Sequence, residues 1–235
     1  MKRVNNFNDD YFETIDTEDK AYFLGLLFAD GNVYTARNRI QITLANEDAY
    51  ILKAFADCIG YTGKMYIDRE KYSKLILPSK KMCADLTRLG CTPNKSLTLQ
   101  FPTEVPDELM HHFIRGYFDG DGHISKDKRL INPYYHINIT STKEFIIVLK
   151  KILMDNDIIT GNLYKRYKDK EISAHTVHVK NKSAKNFVDY IYLNAKMFLT
   201  RKYKIYEHSL LWHRNYARVL LGGCIQSTGR QILWI

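Results

Sequence analysis

No apolar run in this chain reaches the roughly 18 residues that a membrane span needs. The opening stretch, MKRVNNFNDD, has no apolar h-region, so no secretory signal is expected. Cysteine is sparse. Cys58, Cys83, Cys91 and Cys224 form the whole set, and their spacing contains neither a CxxC redox pair nor a zinc-ribbon pattern. Reduced thiols in a reducing compartment follow, so an intracellular protein, cytoplasmic or organellar, is expected. Acidic residues fall short of basic ones, 26 against 35, which leaves a formal net charge of +9. That excess suits a polyanionic partner, nucleic acid before membrane. Seventeen tyrosines interleaved with Lys and Arg suit backbone and base contacts. The length, 235 residues, suffices for one large domain or two fused half-domains.

One short pattern occurs twice. Residues 23–32 read FLGLLFADGN and residues 114–125 read IRGYFDGDGHIS. In register, Gly25 matches Gly116, Leu26 matches Tyr117, Leu27 matches Phe118, Ala29 matches Gly120, Asp30 matches Asp121 and Gly31 matches Gly122. The separation is a constant 91 residues. A repeat of this kind decides how the whole chain is divided.

The surroundings repeat as well. Thr17, followed by Glu18 and Asp19, predicts a capped helix from Thr17 to Ala29 that ends at Gly31. NRIQITLA alternates Ile40, Ile42 and Leu44 with Arg39, Gln41 and Thr43, the period of a strand with one apolar face. EDAYILKAFADCIG predicts a helix closing at Gly60, GKMYIDRE and SKLILPS two strands, and KKMCADLTRLG a helix ending at Gly90. In the second half, Asp107 to Phe118 predicts a helix entered after Pro102 and Pro106. YHINITS sets Ile137 and Ile139 against His136, Asn138 and Thr140. KEFIIVLKKILMDN predicts a helix, GNLYKRYKDK and AHTVHVKN strands, and KSAKNFVDYIYLN a helix. Each half therefore reads helix, two strands, helix, two strands, helix, an α+β class of two fused αββαββα half-domains. The halves divide at residues 1–100 and 101–235. The segment from Gly90 to Pro106 carries apolar residues throughout, so a packed link is expected. The tail from Arg214 fits no part of the repeat; helical packing to Leu221 and then a loose end are expected.

Gly25 and Ala29 lie four apart and share a helix face, as do Gly116 and Gly120. Small residues at this spacing let two helix backbones approach closely, where leucine would hold the axes at about 8–10 Å. Two such helices packed side by side and parallel would bring Asp30 and Asp121 together at their C-terminal ends. Carboxylates there repel each other and the negative helix ends. A divalent cation removes the conflict. Mg²⁺ (or Mn²⁺), bound through one or two carboxylates plus phosphate oxygens, suits the donor set, and points to phosphodiester cleavage. A single Asp-Gly pair is an ordinary turn signal; two in register behind such helices are harder to explain that way. A zinc site is not expected. His175 and His178 point to opposite faces of a strand, and adjacent His111 and His112 diverge on a helix.

The two stretches resemble the LAGLIDADG motif of homing endonucleases, and the order of elements over roughly residues 17–210 resembles that family's half-domain. The form it resembles is the single-chain one, in which two fused halves mimic a homodimer. The resemblance implies pseudo-two-fold symmetry, antiparallel saddle-shaped sheets for DNA and the two motif helices packed at the centre. It implies metal ligation by Asp30 and Asp121. Asp119 matches a position often acidic in the motif, where the first half has Phe28. It also implies a basic residue near each metal: Lys95 in TPNKS and Lys202 in TRKYK, with Arg201 beside it. Such a lysine could organise the attacking water or offset charge on the pentavalent phosphate. Ser141 and Leu44 align where some relatives have a polar, water-orienting side chain, which Leu44 cannot supply.

The polar faces of the strands would then lie in the major groove. The candidate readers are Arg39, Gln41, Lys64, Tyr66, Asp68, His136, Asn138, Tyr164, Arg166, Lys168, Thr176 and His178. Lys71, Lys74, Lys126 and Lys128, placed in turns, would hold phosphates. The expected protein is a monomeric, site-specific, Mg²⁺-dependent double-strand DNA endonuclease with a long, nearly non-palindromic target and, by resemblance, short 3′ overhangs. The rival is an RNA maturase or DNA-binding regulator derived from the same fold without cleavage. A third possibility, the nuclease module of an intein, lacks here an N-terminal Cys or Ser splice start and a terminal His-Asn, so a free-standing protein is expected.

Overall fold

A computed structural model of the chain describes residues 7–126, 135–159, 164–165 and 174–207. The first half runs α1 (Glu18–Asp30), β1 (Gly31–Tyr34), β2 (Arg39–Ala45), α2 (Ala49–Cys58), β3 (Tyr66–Asp68), β4 (Tyr72–Pro78) and α3 (Lys80–Arg88). The second runs α4 (Met110–Asp121), β5 (Gly122–Lys126), β6 (Tyr135–Ser141), α5 (Lys143–Asp155), β7 (Tyr164–Lys165), β8 (His175–Lys180) and α6 (Asn181–Tyr192). The strands form two antiparallel four-stranded sheets, ordered β1-β2-β4-β3 and β5-β6-β8-β7. The same order of elements and of strands thus appears twice, as the repeat predicts. No helix among the described residues is long and apolar enough to cross a membrane. The described cysteines, Cys58, Cys83 and Cys91, are free thiols.

Local chemistry explains the boundaries. Thr17 caps α1, its side-chain oxygen accepting the Lys20 N–H at 3.5 Å. The end of α1 differs from the sequence expectation. The helix runs through Asp30, and Gly31 is extended (φ −83°, ψ 149°) rather than left-handed. Glycine is required there for another reason. The chain folds straight back over the last helical turn, and a Cβ on Gly31 would lie 2.6 Å from the Leu27 carbonyl oxygen. Gly122 repeats this, extended and pressed on Phe118. In the same way α4 starts and ends later than expected, after a 3₁₀ turn at Asp107–Leu109. True left-handed glycine stops occur at Gly60 (φ +69°) and Gly90 (φ +103°).

The inner sheet faces carry Ile40, Ile42, Leu75 and Leu77 in one half and Ile137, Ile139, Val177 and Val179 in the other, all buried with α1 and α4 in one core. The link from residue 91 to 105 is packed as expected, with Cys91, Leu99, Phe101 and Val105 buried. It also crosses over: the Thr142 hydroxyl, which caps α5, donates to the Leu99 carbonyl. The segment after α6 crosses in the opposite sense. Tyr50 of α2 donates its hydroxyl to the Phe198 carbonyl (3.1 Å) and accepts the Thr200 N–H (2.5 Å), and Arg201 Nε lies 3.0 Å from Asp48. Each half's closing segment is therefore braced by the other half.

A buried cation ties these parts together. Arg115 of α4 is 0% exposed. It donates to Glu18 of α1 (2.8 Å), to the Ile191 carbonyl (3.0 Å), to the Met197 carbonyl (2.8 Å) and to His112 Nδ1 (2.6 Å). Removing one partner of a buried pair strands the other charge. Arg115→Met should therefore lower stability by about 3–5 kcal/mol, measured by urea unfolding.

Candidate functional site

The site begins with backbone contact between α1 and α4. A Cβ on Gly25 would fall on the Phe113 carbonyl oxygen and 2.7 Å from the Tyr117 nitrogen. A Cβ on Gly116 would fall on the Tyr22 carbonyl oxygen and 2.9 Å from the Leu26 nitrogen. Near the C-terminal ends, a Cβ on Gly120 would meet the Ala29 methyl and lie 2.9 Å from Asp30 Oδ2. The Asp30 carboxylate thus sits over Gly120, the residue before Asp121. The four small residues lie where α1 meets α4.

Asp30 responds to its neighbour Asp121. The Asp30 carboxyl is pushed up to about 6, first by burial and then by the negative charge of Asp121, while Lys202, Lys95 and Arg201 act in the opposite direction. The Asp121 carboxyl opens to solvent yet is also raised by burial; Lys95, Lys202 and a hydrogen bond from Tyr117 pull it down. Both lysines are almost wholly buried, Lys95 at 8% and Lys202 at 4% exposure. Lys95 Nζ donates to the Gly31 carbonyl. Lys202 Nζ donates to the carbonyls of Phe118 (2.5 Å), Asp119 (2.8 Å) and Gly122 (2.5 Å). Gly31 and Gly122 are matched positions of the repeat, so the two lysines occupy equivalent places. Each places a positive charge at the negative end of a motif helix, which favours both partners. Burial lowers the Lys202 ammonium to about 8.

A cavity of about 200 Å³ opens beside Asp121, lined among others by Ala29, Lys95, Ser96, Tyr117 and Ser141. It is polar and has room for several waters. Tyr117 and Ser141 belong to the second half, and their matched positions, Leu26 and Leu44, are apolar and buried. Among the described residues, no group of three or more His, Cys, Asp or Glu could hold a metal ion. Two carboxylates cannot enclose a cation by themselves. They suit one that retains most of its waters and takes further oxygens from a phosphate, as Mg²⁺ does. Asp119, the third acid of the motifs, is 0% exposed and turned to other partners.

Strand register places the other candidates. In the first sheet, Tyr34 pairs with Arg39, Asn32 with Gln41, Thr43 with Lys74, Tyr66 with Lys74 and Asp68 with Tyr72. Arg39, Gln41, Tyr66 and Asp68 therefore share the outer face. Asn32 and Tyr34 belong to it too; β1 is four residues long and starts at the motif glycine, too short for its alternation to show in the sequence. The Arg39 guanidinium lies 4.7 Å over the Tyr34 ring. Lys74 is in mid-strand rather than in a turn, and pairs with Asp68 at 2.8 Å. Lys64 lies in the loop before β3, exposed. In the second sheet, His136, Asn138 and His178 share the outer face with His123 and Lys180, and His178 bonds Asn138. Thr176 is 6% exposed with its hydroxyl 2.8 Å from Thr140, which leaves it the least able to reach a base. Tyr164 pairs with Thr176 through its backbone. Arg166, Lys168 and Lys128 lie outside the described residues, as does the tail from Arg214.

The histidines on α4 correct one expectation. His111 and His112 do not diverge; their rings lie 3.8 Å apart. His112 turns toward Arg115, and His111 packs between it and Tyr190. Burial and the Arg115 charge hold both rings below the usual histidine value.

The family model of a LAGLIDADG-like domain matches residues 108–192. Among curated proteins, the chain is 29% identical over 133 residues to the DNA-directed RNA polymerase subunit Rpo1C of Methanocaldococcus jannaschii, covering 54% of this chain and 14% of that one. It is 26% identical to the probable translation initiation factor IF-2 of the same organism, over 71% of this chain and 14% of that one. A DNA polymerase of Thermococcus hydrothermalis is 26% identical over 72% of this chain and 11% of its own length. The chain thus spans about a seventh or less of these relatives. Among solved structures, the I-LtrWI LAGLIDADG homing endonuclease bound to target DNA superposes with a TM-score of 0.56 at 13% identity, over 89% of this chain and 92% of that one. The I-SmaMI LAGLIDADG homing endonuclease bound to cleaved DNA gives 0.53 at 12% identity, over 87% and 92%. At such identities the likeness establishes the fold.

Proposed function

We propose that this chain, which has the fold of the single-chain LAGLIDADG homing endonucleases, is itself a site-specific double-strand DNA endonuclease that works with a divalent cation. The observation that carries the reading is the acid pair: Asp30 beside Gly120, next to Asp121, on two helices that glycine brings into backbone contact. A binding protein has no need for two carboxylates raised by burial, one of them also by the charge of the other. The curated relatives add support. They share this stretch but not a common name, so its activity is to be sought in the stretch itself.

In this reading Asp30 and Asp121 hold Mg²⁺ or Mn²⁺. When bound, such an ion supplies a low-pKa water and offsets charge on the phosphate. The chain's own residues do the rest. Lys95 and Lys202 keep positive charge at the floor of the site, where charge builds on the reacting phosphate. Tyr117 and Ser141 offer hydroxyls to water in the cavity beside Asp121. The outer faces of the two sheets, with Arg39, Gln41, Tyr66, His136, Asn138 and His178, contact one half-site each in the major groove. Residues 1–100 and 101–235 would act as the two halves of a monomer on a nearly non-palindromic target.

The test is a cleavage screen of a randomised double-stranded DNA library with Mg²⁺, followed by sequencing of the cut ends. A single long consensus cut on both strands, with short 3′ overhangs, is expected. No enriched cut site with either Mg²⁺ or Mn²⁺ would remove the nuclease reading, and splicing of an intron RNA without DNA cleavage would replace it with the maturase.

A further inference from the structure

Asp119 differs from the other two acids of the motifs, Asp30 and Asp121. It has no counterpart in the first half, where Phe28 stands, and its carboxylate is fully buried. One oxygen accepts the Tyr192 hydroxyl of α6 at 2.8 Å. The other accepts the Tyr22 hydroxyl of α1 at 3.0 Å and the backbone N–H of Leu199 at 2.8 Å. Leu199 lies three residues before Lys202, and Lys202 N–H bonds back to the Leu199 carbonyl at 3.0 Å. Lys202 in turn spends its ammonium on the carbonyls of Phe118, Asp119 and Gly122. The segment that delivers Lys202 is thus pinned at Leu199 by the side chain of the residue whose carbonyl the lysine reaches. The first half has no charge at the matched position: Phe28 packs edge-on to Phe113, and a Cβ added at Gly90, at the start of the segment carrying Lys95, would lie 3.4 Å from the Phe28 ring.

We infer that Asp119 is the positioning residue for Lys202, and that it acts on the second half alone. It touches neither DNA nor cation in this scheme. It fixes where the Lys202 ammonium sits by holding the Leu199 amide between α1, α4 and α6. Its catalytic consequence rests on the nuclease reading; its effect on Lys202 does not.

The test reads Lys202 directly. The full chain is reductively methylated with formaldehyde and a borane under limiting conditions, and Lys202 and Lys95 are quantified by peptide mass spectrometry. Asp119→Asn replaces the charged acceptor of the Leu199 N–H by a neutral amide oxygen, so Lys202 should label about tenfold faster than in wild type, with Lys95 unchanged. Tyr192→Phe removes one neutral donor and keeps the carboxylate. It should give a smaller rise in the same direction, and it serves if the Asp119 variant does not fold. Unchanged Lys202 labelling in the variants that fold would overturn the inference, and so would an equal rise at Lys95, which marks general loosening. On a supercoiled plasmid carrying the selected site, Asp119→Asn should slow one strand's cleavage and accumulate the nicked circle. Equal slowing of both strands overturns the half-specific role. A wild type that labels as expected but cuts no DNA would remove the nuclease reading and leave the positioning role standing.

Discussion

Asp30→Asn and Asp121→Asn should each lower double-strand cleavage by at least about a thousandfold, the several kcal/mol that a bound cation contributes, while target binding stays within a fewfold. The two effects separate because the sheets, not the acids, hold the DNA in this reading. The same substitutions should raise stability in the absence of metal. The folded Asp30 carboxyl titrates near 6, above the roughly 3.9 of an unfolded chain. The folded state therefore binds that proton more tightly than the unfolded state does. Its stabilisation is complete below about pH 4 and is lost as pH rises through 6. Asparagine has no charge to place beside Asp121. Asp30→Asn should melt above wild type at pH 7.5, with the gap closing as pH falls toward 4. Mg²⁺ at pH 7.5 should raise the wild-type melting temperature, as any ligand of the native state does, and leave that of the Asp30→Asn/Asp121→Asn pair unmoved. Cleavage that survives in both single variants would refute the role given to the acids, whatever the melting curves show.

Gly116→Ala should be among the most destabilising single-methyl changes in the chain. The added carbon would land on the Tyr22 carbonyl oxygen, and Gly25→Ala would do the same to Phe113. Overpacking a core costs about 1–3 kcal/mol when side chains can shift. Here the obstacle is backbone, and moving it separates the two helices on which both halves pack. A loss of about 3 kcal/mol or more is expected, some 6–12 °C in melting temperature for a chain of this size; leucine at either position should prevent folding. Gly60→Ala supplies the comparison. Gly60 is left-handed at φ +69° with nothing within 4 Å of a would-be Cβ, so alanine there costs only the about 1–2 kcal/mol of that conformation. If Gly116→Ala proved no worse than Gly60→Ala by urea unfolding, the close helix contact would be refuted.

Much of this architecture was legible because it rests on short-range periodicity. Alternation in NRIQITLA and YHINITS fixed which side chains share the outer faces, and the four small residues announced the helix contact. The boundaries at Asp30 and Asp121 were not legible. An Asp-Gly pair reads as a left-handed stop, whereas here the glycine yields to a steric demand from Leu27 or Phe118 that only the returning strand creates. Asn32 and Tyr34 were invisible for the same reason, since a four-residue strand offers no period to detect. Asp119 was matched to the motif, yet its partners Tyr22, Tyr192 and Leu199 lie up to 97 residues away, and no spacing rule brings them together. The lysines came from family resemblance; their burial among helix-end carbonyls came from the fold.

The crossing of the two closing segments bears on attempts to build hybrids. A chimera that joins this N-terminal half to a foreign C-terminal half at the covalent link would inherit residues 91–101 from one parent and their docking site at Thr142 from the other. The foreign closing segment would meet Asp48 and Tyr50 with no matched partner. The natural unit of exchange is therefore not a stretch of consecutive sequence but a body plus its neighbour's brace, and grafts designed on that division should retain two working lysines where a simple splice would misplace both.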